Sequence, residues 1–270
     1  MSNNITLDSA KTRGTGSFAT LFRVALKNST SLSSAPAALT TLVFIPLIEI
    51  LLLVFASIGV TGEADARVVY SSVIVAFGTS VLLDVVEEIT RDRSLEVLQP
   101  VLLSGSFQVR YWLSKVFVPL VSSFVVATVS TVGVTLLWGG STLELFWGAL
   151  ALLPAVCVSG AVVGVRAALL TLGGNNPYLI SNFLAAALSL ATGVILPISQ
   201  YPIVFEVLGR VLPFTWLIEG YRAGGSAGNE ALIGFAGELV VLAAWVLVTA
   251  LLSRWVIRRW RSGKVHGLLW

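Results

Sequence analysis

The chain of 270 residues contains one cysteine, one histidine and one methionine, and only 11% of its residues are charged. A lone cysteine, Cys157, excludes an internal disulfide and a cysteine-rich metal site. Its apolar setting, Ala155-Val156-Cys157-Val158-Ser159, reads as a packed thiol rather than a reactive one. His266 lies in a polar tail far from Cys157, so nothing favours a His–Cys catalytic pair or a zinc site. An intramembrane serine hydrolase needs a histidine within its apolar segments, and this chain has none there. Asp84, Glu87 and Glu88 are a poor match to the clustered aspartates of metal-dependent prenyl or phosphoalcohol transfer. A phosphate-cradling loop is also missing, because Gly263-Lys264 lacks both the upstream glycine and the following hydroxyl. The chain therefore cannot hydrolyse ATP by that route.

What is abundant is apolar sequence. Hydrophobic residues make up 56% of the chain, whereas a soluble domain carries roughly 25% charged residues. Six long apolar stretches are expected to be membrane spans, at about 37–60, 68–86, 113–138, 145–165, 178–196 and 235–257. Six spans of about 20 residues take up roughly 120–150 residues and leave only short connectors. Basic residues point to the orientation. Of the seventeen Lys and Arg, fourteen fall in alternate gaps between the stretches. They are Lys11, Arg13, Arg23 and Lys27 before the first; Arg91, Arg93, Arg110 and Lys115 between the second and third; Arg166 at the end of the fourth; and Arg254, Arg258, Arg259, Arg261 and Lys264 after the sixth. Arg67, Arg210 and Arg222 alone serve the other gaps. Basic residues at span ends stay on the cytoplasmic side, which places both termini inside. The pI near 9.2 follows from this retention signal and not from a nucleic-acid patch.

Within that frame the first 35 residues are too polar for a cleaved signal peptide, so the first span is expected to be retained. Residues 1–34 form a tail in which Phe18, Leu21, Phe22, Ala25 and Leu26 recur at helical spacing, with Arg23 and Lys27 on the flank. That predicts an amphipathic helix in the cytoplasmic interface. Pro46 should kink the first span, and Glu49 falls near mid-membrane. A carboxylate there costs several kcal/mol unless it is neutral, paired or wetted, so Glu49 is either a pathway residue or a neutral packing residue. Residues 89–112 form the one sizeable internal loop, read as a partly amphipathic helix. Gly160-x-x-x-Gly164 offers close helix packing in the fourth span. Residues 197–232, with Pro197, Pro202 and Pro213, are too broken to span and too apolar to be free. Two short helices dipping into the outer half of the membrane fit them best. No period of 20–50 residues repeats. The fold class expected is all-α, with residues 35–257 forming the six-span membrane domain and 258–270 a basic tail.

Two segments carry a resemblance. Glu88-x-x-Arg91-Asp92-Arg93-Ser94-Leu95-Glu96-Val97-Leu98, followed by Leu102-Leu103-Ser104 and Lys115, resembles the internal loop of the ABC-2 family of ABC exporter permeases. The family's pattern there is a charged run, Gly-Thr-Leu-Glu, apolar residues, Ser-Pro, then a lysine entering the third span. This chain departs from it at Arg93-Ser94 and Ser104-Gly105. Leu212-Pro213-Phe214-Thr215-Trp216-Leu217-Ile218-Glu219-Gly220-Tyr221-Arg222 is similar to the family's external re-entrant hairpin. Gly193–Pro197 and Tyr201-Pro202 sit where the family places its preceding Gly-aliphatic-Pro and Pro.

The resemblance covers nearly the whole chain and implies a division of labour. Two separate ABC ATPase subunits would bind ATP and Mg, this chain binding no cofactor itself. They would dock on a coupling helix formed by Glu88, Arg91, Asp92, Arg93, Leu95, Glu96 and Leu98. Pro213, Trp216, Glu219, Tyr221 and Arg222 would form an external gate, Glu219 and Arg222 sharing a helix face where they can pair. A second copy or a similar permease would complete the pathway in a bacterial cell membrane. The cargo implied is hydrophobic or amphipathic, a drug, antimicrobial or lipid. A lipid-linked glycan, or an ATP-independent secondary transporter using Glu49, are the alternatives.

Overall fold

The computed structural model describes residues 36, 39–62, 65–98, 100, 109–138, 143–171, 176–224 and 229–261. The amphipathic helix expected at 17–28, Leu102–Ser104, the turns at 139–141 and 173–175 and the tail from 262 lie outside them. Among the described residues there is no strand. In chain order the helices are α1 (Ile45–Thr61), α2 (Ala66–Ser94), α3 (Val109–Trp138), α4 (Leu143–Thr171), α5 (Leu179–Ala191), α6 (Ile203–Val211), α7 (Thr215–Gly224) and α8 (Asn229–Arg261). Four of them, α2, α3, α4 and α8, are long and apolar enough to cross a membrane; α1 and α5 are shorter apolar helices.

α2 is the central element, buried along most of its length. It starts cleanly because the Asp65 carboxylate caps it, accepting from the Arg67 N–H at 2.9 Å. α4 lies against it through small residues. A Cβ on Gly160 would sit 2.7 Å from the Gly78 carbonyl oxygen, and one on Gly164 2.8 Å from that of Leu82. Both glycines are thus needed for backbone-to-backbone approach, as their spacing predicts.

Side-chain pairings fix the helix directions. Gly78 meets Gly160 and Leu82 meets Gly164, so α2 and α4 run parallel. Asp84 with Ser123 and Tyr70 with Thr135 set α3 antiparallel to α2. Glu49 with Thr79 places α1 against α2, and Glu49 with Ser189 and Ser57 with Ile195 set α5 parallel to α1. Ser159 with Glu238 and Arg166 with Trp245 make α8 parallel to α4. The six apolar helices therefore alternate in direction along the chain.

Several boundaries differ from the sequence expectation, α4 running six residues past 165 and α8 starting six before 235, and three differences have a visible cause. α2 continues eight residues past the apolar stretch because Glu87–Arg93 are compatible with a helix, and Arg91 pairs back to Glu87 and Glu88. Most of the expected coupling helix is the last turns of α2 itself. Pro46, where a kink was expected, lies in the first turn of α1, and a π turn, Thr40–Phe44, leads into it, closed by the Ile45 N–H on the Thr40 carbonyl. The third difference is α5, which stops at Ala191 although the apolar stretch runs on to Leu196. Gly193 has φ +84°, a left-handed conformation that ends helical bonding there.

Candidate functional site

Polar groups cluster at three depths. The first is the elbow where α2 ends. Lys115 of α3 lies 2.7 Å from Asp92 and 3.5 Å from Glu88, and Arg91 lies 3.3 Å from Glu88 and 3.7 Å from Glu87. The Tyr111 hydroxyl donates to the other Asp92 oxygen. Arg93 reaches across to donate to the Thr171 carbonyl at the end of α4, at 3.2 Å. Glu88 and Asp92 are buried, and so is Leu98. Of the residues expected to dock an ATPase, these three are placed inside the bundle and brace it. Leu95, Glu96 and Val97 are exposed.

The exposed tip has a defined shape. The Val97 N–H donates to the Asp92 carbonyl and the Glu96 N–H to the Arg93 carbonyl, which is the Schellman pattern of helix termination. Glu96 occupies the left-handed position with φ 58°, where glycine is the usual residue. Glu96→Gly should raise stability by about 0.5–1 kcal/mol, the relief of the left-handed penalty less glycine's extra chain entropy. Thermal unfolding of the purified chain checks this; an unchanged or lower midpoint refutes the strain reading.

The second cluster is the outer hairpin. α6 and α7 have 9 and 10 residues, about 15 Å each, too short to cross. Pro213 and Phe214 turn the chain between them, with Phe214 at φ 76°. α7 lies on α8 through Gly220 and Gly234, whose added Cβ atoms would meet the Glu230 and Trp216 carbonyl oxygens at 2.9 and 2.5 Å. The Trp216 indole donates to the Arg210 carbonyl, and the Tyr221 hydroxyl to the Leu145 carbonyl at 2.8 Å.

Arg222 does not pair with Glu219. Its guanidinium donates to the Gly193 and Val194 carbonyls at 2.6 and 2.8 Å, and Ser57 donates to the next carbonyl, Ile195, at 3.2 Å. The reason is physical: the backbone past Ala191 has lost its helical donors, and carbonyls at this depth need others. Arg222 therefore ties α7 to the broken end of α5, while Arg67 of α2 donates to the Arg222 carbonyl at 2.7 Å. Burial raises the Glu219 carboxyl above its ordinary pKa, opposed by Arg210 nearby.

The third cluster lies between these two. Glu49 accepts from Thr79 and Ser189, each at 3.0 Å, so the carboxylate expected in the first span meets α2 and α5. Asp84 accepts from Ser123 of α3 at 3.0 Å. Glu238 of α8 is buried and accepts from the Ser159 hydroxyl at 2.8 Å and from the Phe214 N–H through both its oxygens, at 3.1 and 2.9 Å. Sequence reasoning missed Glu238, although a single carboxylate in the run Phe235–Ser253 was the signal to find it. A small pocket between α1, α2 and α3 is lined by Pro46, Ile50, Phe77, Ser80, Ser123 and Ser130.

The described residues contain no group of three His, Cys, Asp or Glu able to hold a metal ion. Cys157 is buried, its thiol 4.0 Å from the Leu120 carbonyl. The chemistry available is hydrogen bonding and helix coupling at three depths of an apolar bundle. No protein-family model, curated protein or solved structure matches the chain.

Proposed function

We propose that this chain is the six-span membrane subunit of an ABC-2 type exporter, moving a hydrophobic or amphipathic cargo with energy from separate ATPase subunits. The observation that carries the reading is the braced elbow. Lys115, Asp92, Glu88 and Tyr111 bind the end of α2 to the start of α3, leaving Leu95-Glu96-Val97 exposed at the tip. A partner pressing on that tip would move two long helices as one body, the kind of rigid coupling that a two-state transporter needs. The alternating helix directions suit six crossings with both termini on the tip's side. The hairpin at the opposite end suits a gate, with Arg222 and Arg67 tying α7 to α5 and α2. The apolar bundle suits a greasy cargo.

Affinity purification of the tagged chain from its native membranes, followed by identification of what co-purifies, tests the assignment. Recovery of an ATPase with a phosphate-binding loop is expected. Hydrolysis by the complex should rise with amphipathic compounds and fall about tenfold in Leu95→Asp, the loss of one well-packed apolar contact at an interface. Solute accumulation by vesicles holding this chain alone, without ATP, would overturn the proposal in favour of a secondary transporter. Glu49→Gln separates the two further. Glutamine keeps contact with Thr79 and Ser189, so an ATP-driven exporter should retain most of its transport, whereas a carrier that titrates Glu49 should lose it.

A further inference from the structure

The seam between α4 and α8 carries two side-chain contacts, seven residues apart on both helices. Ser159 donates to Glu238 at 2.8 Å, and two turns toward the elbow the Arg166 guanidinium carbon sits 4.4 Å from the centre of the Trp245 ring. Equal spacing on parallel helices puts Arg166 and Trp245 at one level, so the guanidinium crosses to α8 instead of running down α4 toward the elbow. The ring is itself fixed, its indole donating to the Val211 carbonyl at the end of α6, at 2.9 Å. Trp245 precedes Arg254, the first basic residue on α8, by nine residues, about 13 Å of helix. The pair therefore lies inside the bundle, between the hairpin turn and the elbow.

Arg166 makes no hydrogen bond or ion pair among the described residues. The carboxylates at neighbouring depths are occupied elsewhere. Glu238 uses both oxygens on Phe214 and Ser159. Asp84, level with Arg166 by the Gly164–Leu82 pairing, is turned to Ser123 of α3. A guanidinium has five N–H donors and keeps its charge, and an unbalanced charge in an apolar interior is costly. The indole covers one face, which leaves the N–H groups in the guanidinium plane to an acceptor. A neutral acceptor would fill those donors and leave the charge unbalanced. A carboxylate, sulfate or phosphate does both, and two of its oxygens fit the planar fork. Arg166 is only half-buried, so such a group can reach it. Around it the surface is apolar: Val162 and Leu170 lie one turn to either side along α4, and Val248 one turn past Trp245 on α8.

We infer that Arg166, backed by Trp245, is the binding site for the anionic group of an amphipathic molecule: a carboxylate, sulfate or phosphate joined to an apolar body. Two guanidinium N–H groups take the anion, and the apolar body lies along Val162, Leu170 and Val248. A resident phospholipid holds its phosphate in the headgroup layer, whereas Arg166 lies inside, so the occupant is a molecule that enters the bundle. That this molecule is the cargo rests on the transport reading; the site itself does not. The site narrows the cargo to anionic amphiphiles, because a cationic one would face Arg166 with like charge.

Equilibrium dialysis of radiolabelled octyl phosphate against the full chain in phosphatidylcholine discs tests the site. Binding to the wild type should be saturable. Arg166→Gln should weaken it about tenfold, through loss of a charge-assisted hydrogen bond. Arg166→Lys keeps the charge without the planar fork and should lose about threefold, which separates loss of the site from loss of the fold. Octanol, octyltrimethylammonium and inorganic phosphate should each compete about tenfold more weakly than unlabelled octyl phosphate. Equal affinity in wild type and Arg166→Gln overturns the site. Equal competition by octanol would leave a greasy groove, and equal competition by inorganic phosphate a soluble-anion site; either overturns the amphiphile. Loss of binding when phosphatidylglycerol is added to the discs would make a membrane lipid the occupant and overturn the cargo. No ATPase takes part in the measurement, so failure here leaves the transport reading standing. Purification of the chain without any ATPase would sink that reading and leave the site.

Discussion

Lys115→Met should destabilise the protein by about 3–5 kcal/mol, the usual cost of removing one partner from a buried ion pair. Methionine matches the length of the lysine stem and keeps its packing, so the loss isolates the ammonium. Among the described residues, Asp92 would retain only the Tyr111 hydroxyl, and Glu88 only Arg91. Both carboxylates are more than nine-tenths buried as side chains, at 7% and 8% exposure, so water cannot replace the missing charge. Thermal unfolding of the detergent-purified chain should show a fall of roughly 10 °C. The double variant Lys115→Met with Asp92→Asn should recover about half of this, because asparagine still accepts from Tyr111 and carries no charge to strand. A single-variant midpoint close to wild type would mean that the cluster is solvated and does not brace the elbow. Loss of ATPase coupling with unchanged stability would instead make Lys115 part of the docking surface.

The same cluster marks where sequence reading succeeds and where it stops. Composition and the placement of Lys and Arg made an apolar helical bundle legible, because both are sums over many residues. The end of α2 was not legible. Hydropathy falls at Val86, but helical hydrogen bonding continues to Ser94, and only the three-dimensional position of Lys115 makes burial of Asp92 tolerable. Glu219 and Arg222 illustrate a different limit. Their spacing favours a pair on an isolated helix, yet the carbonyls freed where α5 breaks make a stronger demand on Arg222. Glu49 was legible as a buried carboxylate, whereas its partners Thr79 and Ser189 lie 30 and 140 residues away and leave no local trace. Gly160 and Gly164 were legible because a small residue every fourth position is itself the contact surface.

Glu238→Ala is expected to free the outer hairpin. One carboxylate holds three elements there: it belongs to α8, accepts from Ser159 of α4, and takes the Phe214 N–H at the turn between α6 and α7. Phe214 is a non-glycine residue at φ 76°, a conformation costing roughly 1–2 kcal/mol that survives only where its surroundings enforce it. Its ring lies where a Cβ on Gly78 would be, 2.5 Å from that added atom, so the clamped turn also fills the notch in α2. Alanine removes the acceptor for a buried N–H and two charge-assisted bonds, a loss of about 3 kcal/mol. Glutamine keeps an oxygen for Phe214 and an amide for the Ser159 hydroxyl, and should cost about 1 kcal/mol. Because Cys157 is buried, a cysteine placed at Leu212 can report opening of the turn by thiol labelling over a low background. Labelling should accelerate about a hundredfold in the Glu238→Ala background, the kinetic image of a local opening made about 3 kcal/mol easier, and about fivefold with glutamine. Equal rates in all three proteins would place the restraint elsewhere, in the Arg222 ties to α5 or in the glycine contact between α7 and α8, and the carboxylate would be a passenger in a turn held by its neighbours.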